Sequence, residues 1–97
     1  MREADWQATV VAAARYLGWL VWHPYDARRS AAGYPDLTLV RPGGNGTARL
    51  VFLELKTERG RVRPEQEIWL DALSQVPGVV AMVARPSQWD DVLEILR

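Results

Sequence analysis

Residues Val51-Phe52-Leu53-Glu54-Leu55 are apolar on both alternating faces except for one carboxylate, and an ammonium follows in Lys56. A strand with apolar residues on both faces must be covered on both, so this segment belongs inside a sheet that carries layers above and below. Its charged end is then partly withdrawn from water, where a carboxylate needs a cation or hydrogen-bond donors. Upstream, Gly33-Tyr34-Pro35-Asp36 opens a second strand, and Pro42-Gly43-Gly44-Asn45-Gly46 supplies the turn between the two.

A hairpin centred on Asn45 pairs residues whose numbers sum to 90, so Asp36 faces Glu54, Thr38 faces Phe52 and Val40 faces Leu50. Opposed residues share a face of the sheet. Lys56 lies two positions beyond Glu54, about 6.6 Å along at roughly 3.3 Å per residue, and so on that same face. Two carboxylates and an ammonium converge at one end of the hairpin. A one-residue slip or a bulge would turn one strand's set away. Spacing alone leaves two readings: a structural ion pair at the rim of the sheet, or a divalent cation held by Asp36 and Glu54, because hard cations such as Mg²⁺ take carboxylate, carbonyl and water oxygens. Composition favours the second. Of twelve basic residues eleven are Arg, and Lys56 is the only lysine, which points to a need for a compact ammonium that a guanidinium fork does not meet.

Helical spacing of Trp6, Val10, Ala13, Ala14 and Leu17 predicts an amphipathic helix over 4–17, stopped by Gly18, with Glu3 just ahead on the same stripe. As an acidic residue at a helix start, Glu3 is by itself a dipole partner. A strand over 19–23 follows, halted by Pro24, and His23, the single histidine, reads as a surface or hydrogen-bonded residue. Residues 25–32 form a polar loop in which Arg28 and Arg29 are candidate phosphate contacts. Gly33 allows a positive φ or a close backbone approach, and Pro35 keeps the chain extended before Asp36.

Beyond Lys56, Arg59, Arg61 and Arg63 alternate along what reads as a flexible basic loop suited to a phosphate backbone or to solvent. A helix over 64–76 starts at Pro64, with Glu65 and Glu67 at its positive end. Gln66, Trp69, Leu70 and Leu73 share one stripe, so Gln66 points inward and needs a partner. An apolar strand over 79–83 and a last helix capped by Ser87 complete the order αβββαβα, a mixed sheet flanked by helices in which the fourth strand runs parallel to a neighbour.

Gly33-Tyr34-Pro35-Asp36, Glu54-Leu55-Lys56 and Arg63-Pro64-Glu65-Gln66, with Glu3 in an N-terminal helix, resemble the PD-(D/E)XK nuclease superfamily and in particular its VRR-NUC branch. The resemblance spans nearly the whole chain and implies a restriction-endonuclease-like α/β fold and a stand-alone nuclease domain of phage or bacterial type. It implies a DNA endonuclease using Mg²⁺ or Mn²⁺ bound by Asp36, Glu54 and the Leu55 carbonyl, with Lys56 orienting water and stabilising charge on the phosphate. Glu3 would assist the metal, and Gln66 would organise the site. Relatives of this type are similar to Holliday-junction resolvases, which implies a homodimer acting on branched, flap or four-way DNA beside a helicase or replication partner. The alternatives are a catalytically silent DNA-binding module or a protein-interaction domain of the same fold.

Length and 48% hydrophobic content fit a single small domain over 1–97, in which five Trp crowd the core or mark a dimer interface. The absence of Cys removes thiolate zinc sites and disulfides and fits a reducing, cytoplasmic setting. No targeting or membrane-spanning run is read, and zero net charge limits DNA attraction to a local basic patch.

Overall fold

The computed structural model of the chain describes residues 1–24 and 31–97. Helix α1 spans Glu3–Tyr16, β1 Leu20–Trp22, β2 Leu37–Arg41, β3 Arg49–Leu55, α2 Pro64–Ser74, β4 Val79–Ala84 and α3 Trp89–Leu96. The four strands form one mixed sheet in the order β1-β2-β3-β4. β1, β2 and β3 are antiparallel neighbours, and β4 runs parallel to β3 after the α2 crossover. Among the described residues no helix is long and apolar enough to cross a membrane.

The hairpin register is the expected one: Leu37 pairs with Leu53, Thr38 with Phe52 and Val40 with Leu50. Positive φ angles at Asn45 and Gly46 reverse the chain, a conformation those residue types adopt at little cost. β3 is buried from Val51 to Leu55, as a strand apolar on both faces must be. One face is closed by α1 and α3, where Trp6, Val10, Ala14, Val92 and Leu96 meet Leu37, Leu39, Val51, Leu53 and Leu55. Each large aliphatic side chain withdrawn from water there contributes about 1.5–3 kcal/mol. The opposite face receives α2, through Leu70 and through Trp69, whose ring forms a T-shaped contact with Tyr34 at 5.2 Å; Tyr34 in turn meets Phe52 at 6.2 Å.

Several boundaries differ from the sequence reading. β1 begins at Leu20, since Trp19 is drawn into the core, where its indole N–H donates to the Leu96 carbonyl at 2.9 Å. Arg41 and Arg49 lie over that ring at 4.9 and 5.3 Å and donate to carbonyls at the end of α3, so two arginines are structural. Helix α2 stops at Ser74, whose hydroxyl donates to Ala81 in β4. Ser87 does not cap α3: Pro86–Gln88 forms a 3₁₀ turn first, and Gln88 holds the N-cap position.

Gly33 links the loop before β2 to α2. Its φ is +86°, and a Cβ there would overlap the Glu65 backbone carbonyl. Gly33→Ala is therefore expected to cost about 2–4 kcal/mol, the sum of left-handed backbone strain and a clash with unyielding main chain. Urea unfolding measures this; a loss below 0.5 kcal/mol, about the scale of an ordinary surface change, would contradict the close packing.

Candidate active site

Asp36 stands one residue before β2, behind the buried Pro35. Having left the ladder, it uses its side chain to close the end of the hairpin: Oδ2 accepts the Leu55 N–H at 2.8 Å. Leu55 lies between Glu54 and Lys56 and pairs in parallel with Ala84. The peptide framing the site is thus fixed from both sides, by Asp36 on one neighbour and β4 on the other.

Glu54 is 2% exposed. Its Oε2 accepts from Gln66 Nε2 at 2.9 Å and pairs with Lys56 Nζ at 3.3 Å, whereas its Oε1 is buried and has no hydrogen-bond partner among the described residues. Burial pushes its carboxyl up to about 7, the neighbouring Asp36 carboxylate adds to that, and Lys56 opposes it. Glu54 and Lys56 meet directly and Asp36 stands beside them through the Leu55 N–H, whereas the expected pairing of Asp36 with Glu54 is not part of the ladder, which ends at Leu37 with Leu53.

Gln66 uses both ends of its amide. Its Oε1 accepts the Arg63 N–H at 2.8 Å, closing the first turn of α2, while its Nε2 holds Glu54. A carboxylate in its place would set charge against charge. The inward-pointing polar residue read from helical spacing thus finds its partner in the acid of the adjacent strand. The same Arg-Pro-x-Gln start recurs at Arg85, whose N–H donates to Gln88 Oε1 at 2.9 Å.

Lys56 is tied in through its main chain. Its N–H donates to the Ala84 carbonyl, which also accepts the Trp6 indole N–H at 2.9 Å. This shared acceptor anchors the start of α1 to the charged end of the sheet. Glu3 lies one turn ahead of Trp6, exposed in the first turn of α1, and Met1 lines an open groove with Thr57, Glu58 and Arg59.

The segment after Lys56 reads from sequence as a flexible loop; in the structure it is tied down by hydrogen bonds. Arg85 Nη1 donates to the carbonyls of Thr57 at 2.6 Å, Glu58 at 3.2 Å and Gly60 at 2.8 Å. The Glu58 carboxylate accepts from the Ser87 N–H and hydroxyl, which is where the predicted capping serine is spent. Arg59, Arg61 and Arg63 are exposed, and Arg63 pairs with Glu65 at 3.5 Å. Arg85 had no local signal in the sequence, since its partners lie 25 to 28 positions away. Arg28 and Arg29 fall outside the described residues.

Among the described residues no three His, Cys, Asp or Glu side chains gather as a metal cluster. The acidic pair nonetheless suits a hard divalent cation: its donors are carboxylate oxygens, and among the described residues Glu54 Oε1 is buried with no hydrogen-bond partner.

A family model for the VRR-NUC domain matches residues 5–87. A solved structure described as a VRR_NUC domain is 27% identical, with a TM-score of 0.72 over 95% of this chain and 94% of the other. A search of curated proteins finds no match. With the mixed sheet, the Asp36, Glu54 and Lys56 constellation and a match over most of its length, this chain belongs to the VRR-NUC domain family and carries its nuclease fold.

Proposed function

We propose that this chain is a divalent-metal-dependent endonuclease that hydrolyses phosphodiester bonds in DNA, with branched, flap or four-way substrates favoured. The observation that supports the reading most is the buried, unpartnered Glu54 Oε1 beside the Asp36 carboxylate, with the solitary lysine 3.3 Å from the other Glu54 oxygen. Asp36, Glu54 and the Leu55 carbonyl would hold Mg²⁺ or Mn²⁺. When bound, the ion supplies Lewis acidity at a phosphoryl oxygen and neutralises charge there.

The chain's own groups then have separate tasks. Lys56 donates to the attacking water or to a non-bridging phosphate oxygen, offsetting charge that grows as the P–O ester bond breaks. Gln66 keeps Glu54 in one rotamer and so fixes the direction of its free oxygen. Arg59, Arg61 and Arg63, beside a loop held by Arg85, would contact flanking phosphates, with Arg28 and Arg29 as further contacts. Glu3 would face the same end from α1 as an auxiliary acid. A homodimer would bring two such sites to one branched substrate.

Cleavage of single-stranded, duplex, flap and four-way DNA, with and without Mg²⁺, tests the proposal. The expected result is Mg²⁺-dependent cutting that is fastest on branched or flap DNA and lost in folded Asp36→Ala protein. Binding without cutting of any substrate would leave a DNA-binding module of nuclease fold, and neither binding nor cutting would leave a protein-interaction domain.

A further inference from the structure

Trp22 is the last residue of β1 and is 53% exposed, on the face of the sheet that carries Glu54. The pairings Trp22 with Thr38 and Thr38 with Phe52 set these three side chains in one row across the sheet. Glu54 lies two residues beyond Phe52 and so one row away on that same face, and Asp36, two residues before Thr38, ends the hairpin beside it through its bond to the Leu55 N–H. One row is about 6.6 Å and one strand about 4.8 Å, which puts the Trp22 backbone roughly 8 Å from that of Asp36.

The Trp22 ring is also held. It stands perpendicular to Tyr34 at 5.9 Å with planes 82° apart, and Tyr34 is fixed by Trp69, by Phe52 and by a 2.9 Å hydrogen bond between its hydroxyl and Thr38. An edge-to-face contact with one neighbour covers at most one face of either ring, and at 53% exposure Trp22 keeps area free for stacking. Beside it, Leu20 and Val40 pair across β1 and β2 and are 65% and 39% exposed. Helix α2 covers the Phe52 side of this face, so the apolar strip that remains is about two strands wide, roughly 10 Å. Such a strip is wide enough for one chain of unpaired bases and too narrow to seat a duplex.

We infer that Trp22 is a stacking platform for an unpaired nucleobase next to the cleavage site, so that the substrate presents single-stranded nucleotides beside the bond that is cut. Stacking on an aromatic ring is sequence-tolerant, because every base has a flat face, so this surface selects strand structure and not sequence. The inference rests on the nuclease reading above, and it names the feature by which that site would choose its substrate.

The test is fluorescence anisotropy of labelled single-stranded, flap and blunt duplex oligonucleotides without divalent cation, using the wild type, Trp22→Ala and Trp22→Phe, with sedimentation of each protein alongside. Trp22→Ala is expected to weaken single-stranded and flap binding about tenfold or more, within the usual worth of one stacked base, and to leave blunt duplex binding within about twofold. Trp22→Phe is expected to keep most of the affinity, with sedimentation unchanged in both variants. Equal loss on all three substrates, no loss on any, or a wild-type dimer that becomes a monomer in Trp22→Ala would overturn the inference. The last outcome would assign the strip to a second copy of the chain. The parent reading fails separately: a wild type that binds flaps through Trp22 but cuts nothing in Mg²⁺ is a binding module, whereas one that cuts flaps equally with or without Trp22 is a nuclease lacking this platform.

Discussion

Lys56→Ala is expected to slow Mg²⁺-dependent cleavage by about 10²–10³-fold, the usual loss when one preorganised donor to a developing oxyanion is removed. The protein should still fold, because the Lys56 side chain contributes one ion pair, while its backbone hydrogen bond to Ala84 survives the substitution. Lys56→Arg is expected to recover little. The side chain is only 14% exposed, and a planar guanidinium cannot occupy the position of a compact ammonium 3.3 Å from Glu54 Oε2 without displacing Gln66 from that oxygen. Removing the cation also withdraws an influence that lowers the Glu54 carboxyl, so residual activity in Lys56→Ala should require higher pH than the wild type. Initial rates across pH measure both effects. A rate within threefold of wild type would remove Lys56 from the chemistry.

Glu54→Gln is expected to abolish cleavage and yet to stabilise the metal-free protein. In the folded chain burial and Asp36 favour the protonated carboxyl up to about pH 7, whereas a glutamate in the unfolded chain ionises near 4.5. Folding therefore takes up a proton between those values, and the contribution of Glu54 to stability falls as pH rises through that window and then levels off. Glutamine keeps the shape and never ionises. Its advantage should approach zero near pH 4.5 and grow to at most about 3 kcal/mol above pH 7, less whatever is lost with the Lys56 pair. Urea unfolding of both proteins in chelator at pH 5 and pH 8 reads the difference, with the carboxylates distant from Glu54 cancelling and the release of its repulsion with Asp36 included. A Glu54→Gln protein less stable than wild type at pH 8 would mean that the carboxylate is satisfied as it stands and has no call for a cation.

The core of the site was legible because a hairpin converts sequence distance into register. Once Asn45 is the turn, Thr38 must oppose Phe52, and Asp36, Glu54 and Lys56 must gather at one end. Helical spacing placed Gln66 inward, and the structure supplies Glu54 as the partner it needed. The arrangement of the Asp36 side chain, which bonds the Leu55 N–H and so fixes its own carboxylate, follows from its position just outside the strand and not from pairing rules.

The loop after Lys56 misled for a different reason. Three alternating arginines and a glycine describe a mobile segment by composition, but its order comes from Arg85, delivered by a parallel strand and a 3₁₀ turn whose approach no local pattern records. The fate of the tryptophans was likewise a tertiary matter. Trp6 and Trp19 bury their rings and donate their indole N–H groups to main-chain carbonyls, whereas Trp22, of the same type and in the adjacent strand, stays exposed on the opposite face.

Calorimetric titration with Mn²⁺ tests most directly whether Asp36 and Glu54 form one cation site. The wild type is expected to bind at pH 8 and more weakly at pH 5.5, where the ion must displace the proton held on Glu54. Asp36→Ala and Glu54→Gln, each still folded, are expected to give no binding heat. Mn²⁺ binding of undiminished affinity in both substituted proteins would contradict the site and with it the chemistry assigned to this end of the sheet.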